Sequence, residues 1–540
     1  MTSLERTVVV VGGGVAGLAT AALLARDGYR VTLLEQQDEV GGRVGSWEAH
    51  GFRFDTGPSW YLMPGVFEHF FRLLGTSTAE QLDLATLDPG YRVFFEDHPE
   101  PLDVTASAAE NRATFERIEP GAGAAFDRYL SSARETYWLA VDRFLYGTFA
   151  SFRPLLVPQL LTRLGRLARL LLQPLDRFAA GYVRDPRLRQ ILGYPAVFLG
   201  TAPSRAPSMY HLMSHLDLED GVRYPLGGFR ELVVRLVVLA EREGVRIVTG
   251  AKVTAIRTAV PTAEGPAHSP RAQVTGVDYR DRSGCSHREE ASIVVSAADL
   301  HHTETELVTE SRRSYPERWW KSRDPGPGAV LVLLGVRGSL PQLAHHSLFF
   351  TSDWAGDFEQ IFGAYRSIPD PASLYVCRPS ATDPGVAPVG FENLFVLVPV
   401  PADPGIGAGG IAGAGDALVE RTADAAVRQI SSWAGIADLA DRIVVRRTIG
   451  PADFASDLNA WRGGALGPAH TLRQSAFFRG RNASAVVGGL LYAGGSTLPG
   501  IGIPMCLISA ELVVKRLRGD VSTAPLTEPL VATLDGERVE

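Results

Sequence analysis

Cysteine is scarce in this 540-residue chain: Cys285, Cys377 and Cys506 are the only three. Being odd in number and far apart, they build neither a disulfide framework nor a zinc knuckle, so a reducing compartment is expected. Long hydrophobic runs are missing too. No stretch approaches the roughly 20 uninterrupted apolar residues that a spanning helix needs, so an integral helical membrane protein is not expected. The opening Met1–Thr7 leads into a four-valine run, Val8–Val11, which is too short for a signal-peptide core and reads as a strand. Nor is there an excess of positive charge. The formal net charge is −7 at pH 7, whereas nucleic-acid binding wants a basic face to neutralise phosphates, so no nucleic acid is expected as a partner. The composition, 45% apolar and 21% charged, is that of an ordinary globular protein, soluble or peripherally bound. The length suffices for two interleaved domains with a sizeable core.

What is present begins at the N-terminus. The β-branched run Val8–Val11 has the pattern of a buried parallel strand. It enters Gly12-Gly13-Gly14-Val15-Ala16-Gly17, a GxGxxG on Gly12, Gly14 and Gly17. The first glycine makes a tight turn, the second admits a pyrophosphate to the backbone, and the third lets a helix sit close on the strand. Leu18–Ala25 continue as that helix, with Gly28 placed as its C-terminal cap. A second strand, Arg30–Leu34, ends in Glu35, where an acid would bind a ribose hydroxyl. Strand, glycines, helix and acid in this order predict a dinucleotide site. Another glycine cluster, Gly407-Ala408-Gly409 to Ala412, follows Pro401 and Pro404 and leads to no acid-tipped strand. It is expected to be a flexible loop.

Beyond Glu35, Gly41-Gly42-Arg43 resembles the extended fingerprint of FAD-binding flavoproteins. Further on stand Phe54-Asp55-Thr56-Gly57-Pro58-Ser59-Trp60, Tyr224-Pro225-Leu226-Gly227-Gly228 and the strand-like Gly244–Ile247 and Ile293–Asp299. Near the end come Asn459, Arg479 and Leu491-Tyr492-Ala493-Gly494-Gly495-Ser496-Thr497-Leu498-Pro499-Gly500-Ile501-Gly502-Ile503-Pro504. From Val8 to about Arg518 the chain resembles the bacterial and fungal type of phytoene desaturase, the carotenoid-desaturase branch of the amine-oxidase-like flavoproteins. Amine oxidases typically carry an acid where this sequence has Gly495, which points away from them. The resemblance implies an FAD site made by Gly12, Gly13, Gly14, Val15, Ala16, Gly17, Glu35, Gln36, Gly42, Arg43, Gly57, Pro58, Ser59, Val253, Gly494, Gly495, Gly502, Ile503 and Pro504. The C-terminal part also makes sense alone. Pro504 suits a first helical turn, Met505–Leu517 continue the helix, and Gly519 caps it after Lys515, Arg516 and Arg518. Its glycine-flanked N-terminus offers free N–H groups and a positive partial charge to a reduced flavin.

The stretch Phe152–Phe178 reads as an amphipathic helix bracketed by Pro154, Pro158 and Pro174. Leu160, Leu161, Leu164, Leu167 and Leu171 share one side, and Arg163, Arg166 and Arg169 share the other. Periodicity alone favours a core helix with a solvated arginine face. The resemblance, with its membrane-held hydrocarbon substrates, favours docking on anionic lipid. His211 and His215 are spaced i, i+4 near Asp217 and Glu219, but no third ligand is specified. His301-His302 and His345-His346 are adjacent pairs expected to point apart, so no metal site is expected. No Ser/His/Asp constellation is legible, and no catalytic residue can be named.

The expected fold is α/β: a discontinuous Rossmann-type FAD-binding domain with an interleaved α+β substrate domain carrying lipid-facing helices. FAD-binding segments are expected at 1–75, 220–310 and 470–525, substrate segments at 76–219 and 311–469, and a tail at 526–540. The resemblance implies desaturation of phytoene by hydride loss to the flavin, with oxygen or a quinone as final acceptor and a cytoplasmic, peripherally membrane-bound location. Alternatives are a carotenoid isomerase, ketolase or later-pathway desaturase, and a flavin-free prenyl-lipid escort protein, against which Glu35 and Gly41-Gly42-Arg43 argue.

Overall fold

Five short aliphatic runs make a wholly parallel sheet. The computed structural model, which describes residues 6–150, 164–260 and 272–532, orders them Leu490–Tyr492, Ile293–Ser296, Thr7–Val11, Arg30–Leu34, Arg246–Val248. Every neighbouring pair is parallel. Thr7–Val11 is buried along its whole length, which is why it reads as a continuous apolar run rather than an alternating one. The crossover to the second strand is the helix Val15–Arg26, buried from Val15 to Leu24. The helices Phe229–Arg242 and Ile503–Arg518 pack against it. Leu18, Leu23 and Leu24 are completely buried there, each contributing about 1.5–3 kcal/mol of transfer free energy.

A second sheet has seven strands in the order Ile443–Ile449, Gly328–Arg337, Phe391–Val400, Leu374–Cys377, His346–Phe350, Tyr91–Phe95, Leu102–Val104. All pairs are antiparallel except His346–Phe350 with Tyr91–Phe95. Gly328–Arg337 shows the period of two that a strand imposes. Val330, Val332, Leu334 and Val336 pack with Val419, Ala423 and Ile430 of the helix Ala417–Trp433. Ala329, Leu331 and Leu333 face the other way, towards Phe52, Phe54 and Phe395. A three-stranded antiparallel sheet, Lys252–Ala259, Gln273–Arg280 and Ser286–Glu290, completes the larger elements.

Two sequence expectations are corrected. Phe152–Phe178 is not one helix. Within the described residues a helix runs Leu164–Leu172 and another Leu175–Ala179. The extended backbone of Pro174, φ −62° and ψ 149°, parts them. Residues 151–163, including Leu160, Leu161 and Arg163, lie outside the described residues. The glycine-rich Gly407–Ala412 is a loop, but an anchored one. Gly409 N–H donates to Asp453 at 2.6 Å and Gly410 N–H to Thr448 Oγ1 at 2.8 Å. Side chains from neighbouring elements thus satisfy the backbone that its composition left open.

Candidate functional site

A single cavity of about 1300 Å³ gathers the sequence motifs. Of the expected site residues, Gly12, Gly14, Val15, Ala16, Glu35, Gln36, Gly42, Arg43, Gly57, Pro58, Ser59, Val253, Gly494, Gly495, Gly502, Ile503 and Pro504 all line it. Gly13 and Gly17 are not in its lining, for steric reasons the structure makes plain. A Cβ on Gly17 would stand 1.9 Å from the carbonyl oxygen of Gly12, and one on Gly13 would meet Val40 at 2.8 Å. These two glycines serve the packing of helix on strand and of the Glu35 corner.

Gly14 is of another kind. Its backbone is ordinary, φ −71° and ψ 176°, and a Cβ there would come no nearer than 3.9 Å to any protein atom. Neither strain nor packing demands glycine at this point. The open space beside it fits a cradle for a group that approaches the main chain closely. Gly495 likewise leaves 3.8 Å around a Cβ. Two helices begin at this wall with no side-chain cap, Val15–Arg26 at Gly14 and Ile503–Arg518 at Gly502. Their N-terminal N–H groups and partial positive charge suit an anion. Glu35, 8% exposed, is fixed by its own backbone surroundings. Its Oε2 accepts from Gly13 N–H at 2.6 Å and its Oε1 from Gln37 N–H at 2.8 Å. Each carboxylate oxygen keeps a second lone pair for a ribose hydroxyl. Gln36 accepts from Asn459 Nδ2 at 3.1 Å and donates to Asp457 O at 2.8 Å, and Arg43 Nε donates to Ala465 O at 2.9 Å. The residues therefore fit a dinucleotide of the FAD type.

The C-terminal motif is held from behind. Arg479, 4% exposed, donates to the carbonyls of Thr497 (2.9 Å), Pro468 (3.1 Å), Gln474 (3.2 Å) and Gly495 (2.5 Å). Burial lowers its pKa to about 10, so it stays charged at neutral pH. His470 accepts the N–H of Ile501 on Nε2 at 3.1 Å. A Cβ at Gly500 would strike that imidazole at 2.1 Å, which is the reason for glycine there. The remaining lining is largely apolar, including Leu167, Leu170, Phe198, Phe395, Leu397 and Phe477.

One of the adjacent histidine pairs needs a correction. His345 and His346 do not diverge: their rings lie 4.6 Å apart, centre to centre, and a nitrogen of each falls within 4.8 Å of the other and of Cys377 Sγ. His345 precedes the strand that starts at His346, so the pleat does not dictate its direction. Sequence reasoning also missed Tyr375, Tyr210 and His470 on the cavity wall, none of which sits in a local motif. His211 and His215 are spoken for, His211 by Ser132 Oγ (2.9 Å) and Ser208 O (2.7 Å), His215 by Glu219 (2.7 Å).

With this geometry, the chain matches the flavin-containing amine oxidoreductase family over residues 15–518. It is 39% identical to the carotenoid 3,4-desaturase of Haloarcula japonica, over 95% of this chain and 98% of that protein. It is 34% identical to the zeta-carotene-forming phytoene desaturase of Myxococcus xanthus (95% and 94%) and 30% identical to the phytoene desaturase of Fusarium fujikuroi (96% and 90%). Among solved structures, putrescine oxidase bound to putrescine matches with a TM-score of 0.57 at 14% identity, over 96% of this chain and 99% of that one. Cyclohexylamine oxidase from Brevibacterium oxydans matches at 0.55 and 14%, over 95% and 99%. These two share the fold. The chain belongs to the flavin-containing amine oxidoreductases, and FAD is its cofactor. Within them it is a carotenoid desaturase, an oxidoreductase of CH–CH bonds whose substrate is a hydrophobic polyene.

Proposed function

We propose that the protein desaturates phytoene, introducing conjugated double bonds on the way to lycopene-type carotenoids. The observation that carries this reading is the cavity itself. At about 1300 Å³ it exceeds the roughly 300–1,000 Å³ of an ordinary small-molecule site, and it joins a nucleotide cradle to an apolar enclosure. Bound FAD supplies the hydride acceptor. Gly12, Gly14, Glu35, Gly42, Arg43, Gly495 and Gly502, with the other expected site residues, would hold it. The FAD-binding segments 1–75, 220–310 and 470–525 belong to the same proposal. The apolar walls exclude water and align a chain whose C–H bonds are not acidic. A second reading, desaturation at a later step, is favoured by the 39% identity to the carotenoid 3,4-desaturase.

Membrane docking is part of this proposal. Leu171, Leu472 and Phe478 line the cavity and yet are 37%, 36% and 59% exposed, with Leu172 beside them at 71%. Such an apolar rim suits entry of a hydrocarbon from a bilayer. Among the described residues no helix is long and apolar enough to cross a membrane. Arg166 does not fit the expected head-group stripe, because Glu135 and Ser132 of the helix Ala122–Ala140 hold its guanidinium. Arg169 is exposed and, among the described residues, donates to Gln173 at 3.0 Å. The test is to incubate FAD-loaded protein with phytoene in liposomes. Polyene absorption bands should grow as phytoene disappears. No reaction with phytoene, but reaction with an already conjugated carotenoid, selects the second reading.

A further inference from the structure

A chain of hydrogen bonds leads from the cavity wall to a buried imidazole. Ser59 and Tyr375 both line the cavity. Ser59 Oγ lies 2.6 Å from Tyr375 Oη, which in turn lies 2.7 Å from Nδ1 of His346. His346 is wholly buried behind the phenol, its ring stacked on Trp60 at 4.5 Å. Its Nε2 has no hydrogen-bond partner among the described residues. Burial holds this imidazole well below the usual histidine range, so it rests neutral; in the tautomer protonated on Nε2, its Nδ1 lone pair accepts the Tyr375 O–H.

A second phenol–imidazole pair, Tyr210 and His470, also lines the cavity, and its bonding sets the two apart. His470 Nε2 accepts from Ile501 N–H, so in the neutral ring Nδ1 carries the proton and donates to Tyr210 Oη at 2.9 Å. Tyr210 reaches Ser475 Oγ at 2.9 Å, and Ser475 donates to Thr471 O at 2.9 Å. That chain ends on a carbonyl and leaves no free lone pair on the ring. It holds the Pro499–Ile501 turn. The His346 chain can still take a proton.

We propose that Tyr375, with Ser59, takes the proton that the carotenoid loses in forming each double bond and passes its own hydroxyl proton to Nδ1 of His346. This rests on the carotenoid-desaturase reading of the cavity. Hydride departs from one carbon with both bonding electrons, which is the flavin's part of the reaction. The neighbouring C–H bond then breaks and its electron pair becomes the new π bond. Its proton goes to the hydroxyl pair while the Tyr375 O–H proton moves to His346. The resulting imidazolium returns its proton to water after product leaves. A weak base suffices, because an allylic cation is a far stronger acid than an imidazolium. Trp60, Phe198, Phe395 and Leu397, which share this wall, offer no basic lone pair.

The experiment compares FAD-loaded wild type with Y375F, H346Q and Y210F in liposomes containing phytoene or a part-desaturated carotenoid. Flavin absorbance per protein checks folding, anaerobic bleaching reports hydride loss, and chromatography reports products, in H2O and in D2O. Y375F and H346Q should form polyene about 10²-fold more slowly or worse, the usual scale of general-base catalysis. They should lose the solvent isotope effect that wild type and Y210F display. Polyene formation by Y375F near the wild-type rate, or an isotope effect that survives in it, overturns the relay. If H346Q comes without flavin, Y375F, which removes one oxygen, decides alone. A wild type that bleaches with no carotenoid strikes at the substrate reading instead.

Discussion

Gly14 and Glu35 occupy the same wall but answer to different forces. Gly14 is free of strain and of close neighbours, so a Cβ there meets no protein clash. The methyl groups of a valine would project into the space proposed for the diphosphate. G14V should therefore fold and lose most of its flavin, tenfold or more in the ratio of 450 nm to 280 nm absorbance. Normal flavin occupancy in a folded G14V protein removes this site from consideration. Glu35 is a less clean probe, since its carboxylate also holds the Gly13 N–H. A hydrogen bond to a charged group is worth about 1.5–3 kcal/mol, so Glu35→Ala would disturb the turn and the ribose contact together.

At the scale of the element, the helix Leu164–Leu172 divides its side chains among three environments. Leu170 lines the cavity and is buried, Leu171 lines it while 37% exposed, and Leu172 stands 71% exposed. Such a helix is both wall and rim. If the rim enters a bilayer, each exposed leucine contributes up to about 1.5–3 kcal/mol. The double variant L171S/L172S should then bind neutral liposomes about tenfold more weakly or worse, with flavin content preserved, as measured by flotation. Equal flotation of variant and parent would mean that this face meets water and that substrate enters elsewhere. Arg166, paired to Glu135, anchors the helix to its neighbour, so charge reversal there would test packing rather than lipid attraction.

The whole molecule offers one strand–glycine–helix–acid unit among its described residues, at Thr7–Glu35. The other glycine cluster, Gly407–Ala412, is tied to Thr448 and Asp453. On this basis a separate nicotinamide cofactor should be dispensable, with electrons leaving the reduced flavin to oxygen or a quinone. Anaerobic enzyme bleached by substrate should recover its flavin spectrum on adding a quinone or air, and stay bleached with NADP+ alone. Turnover by pure protein that strictly requires NADP+ would exclude this.

The local chain by itself determined the nucleotide corner. The turn at Gly12, the acid at Glu35 and the helix opening at Gly502 depend on sterics and hydrogen bonds within a few tens of residues, so their spacing is readable directly. The same locality made the helix Ile503–Arg518 and its Gly519 cap legible. Only the tertiary structure decided which glycines face the cavity and which face a neighbour. Gly500 is required by the ring of His470, a contact that spacing does not encode. It also brought Ser59 within 2.6 Å of Tyr375, 316 residues later, and set His346 opposite Cys377 through strand register. Register and burial are long-range outcomes, fixed when distant apolar faces pack. The polar pairs they trap between them leave no mark in any short stretch of sequence.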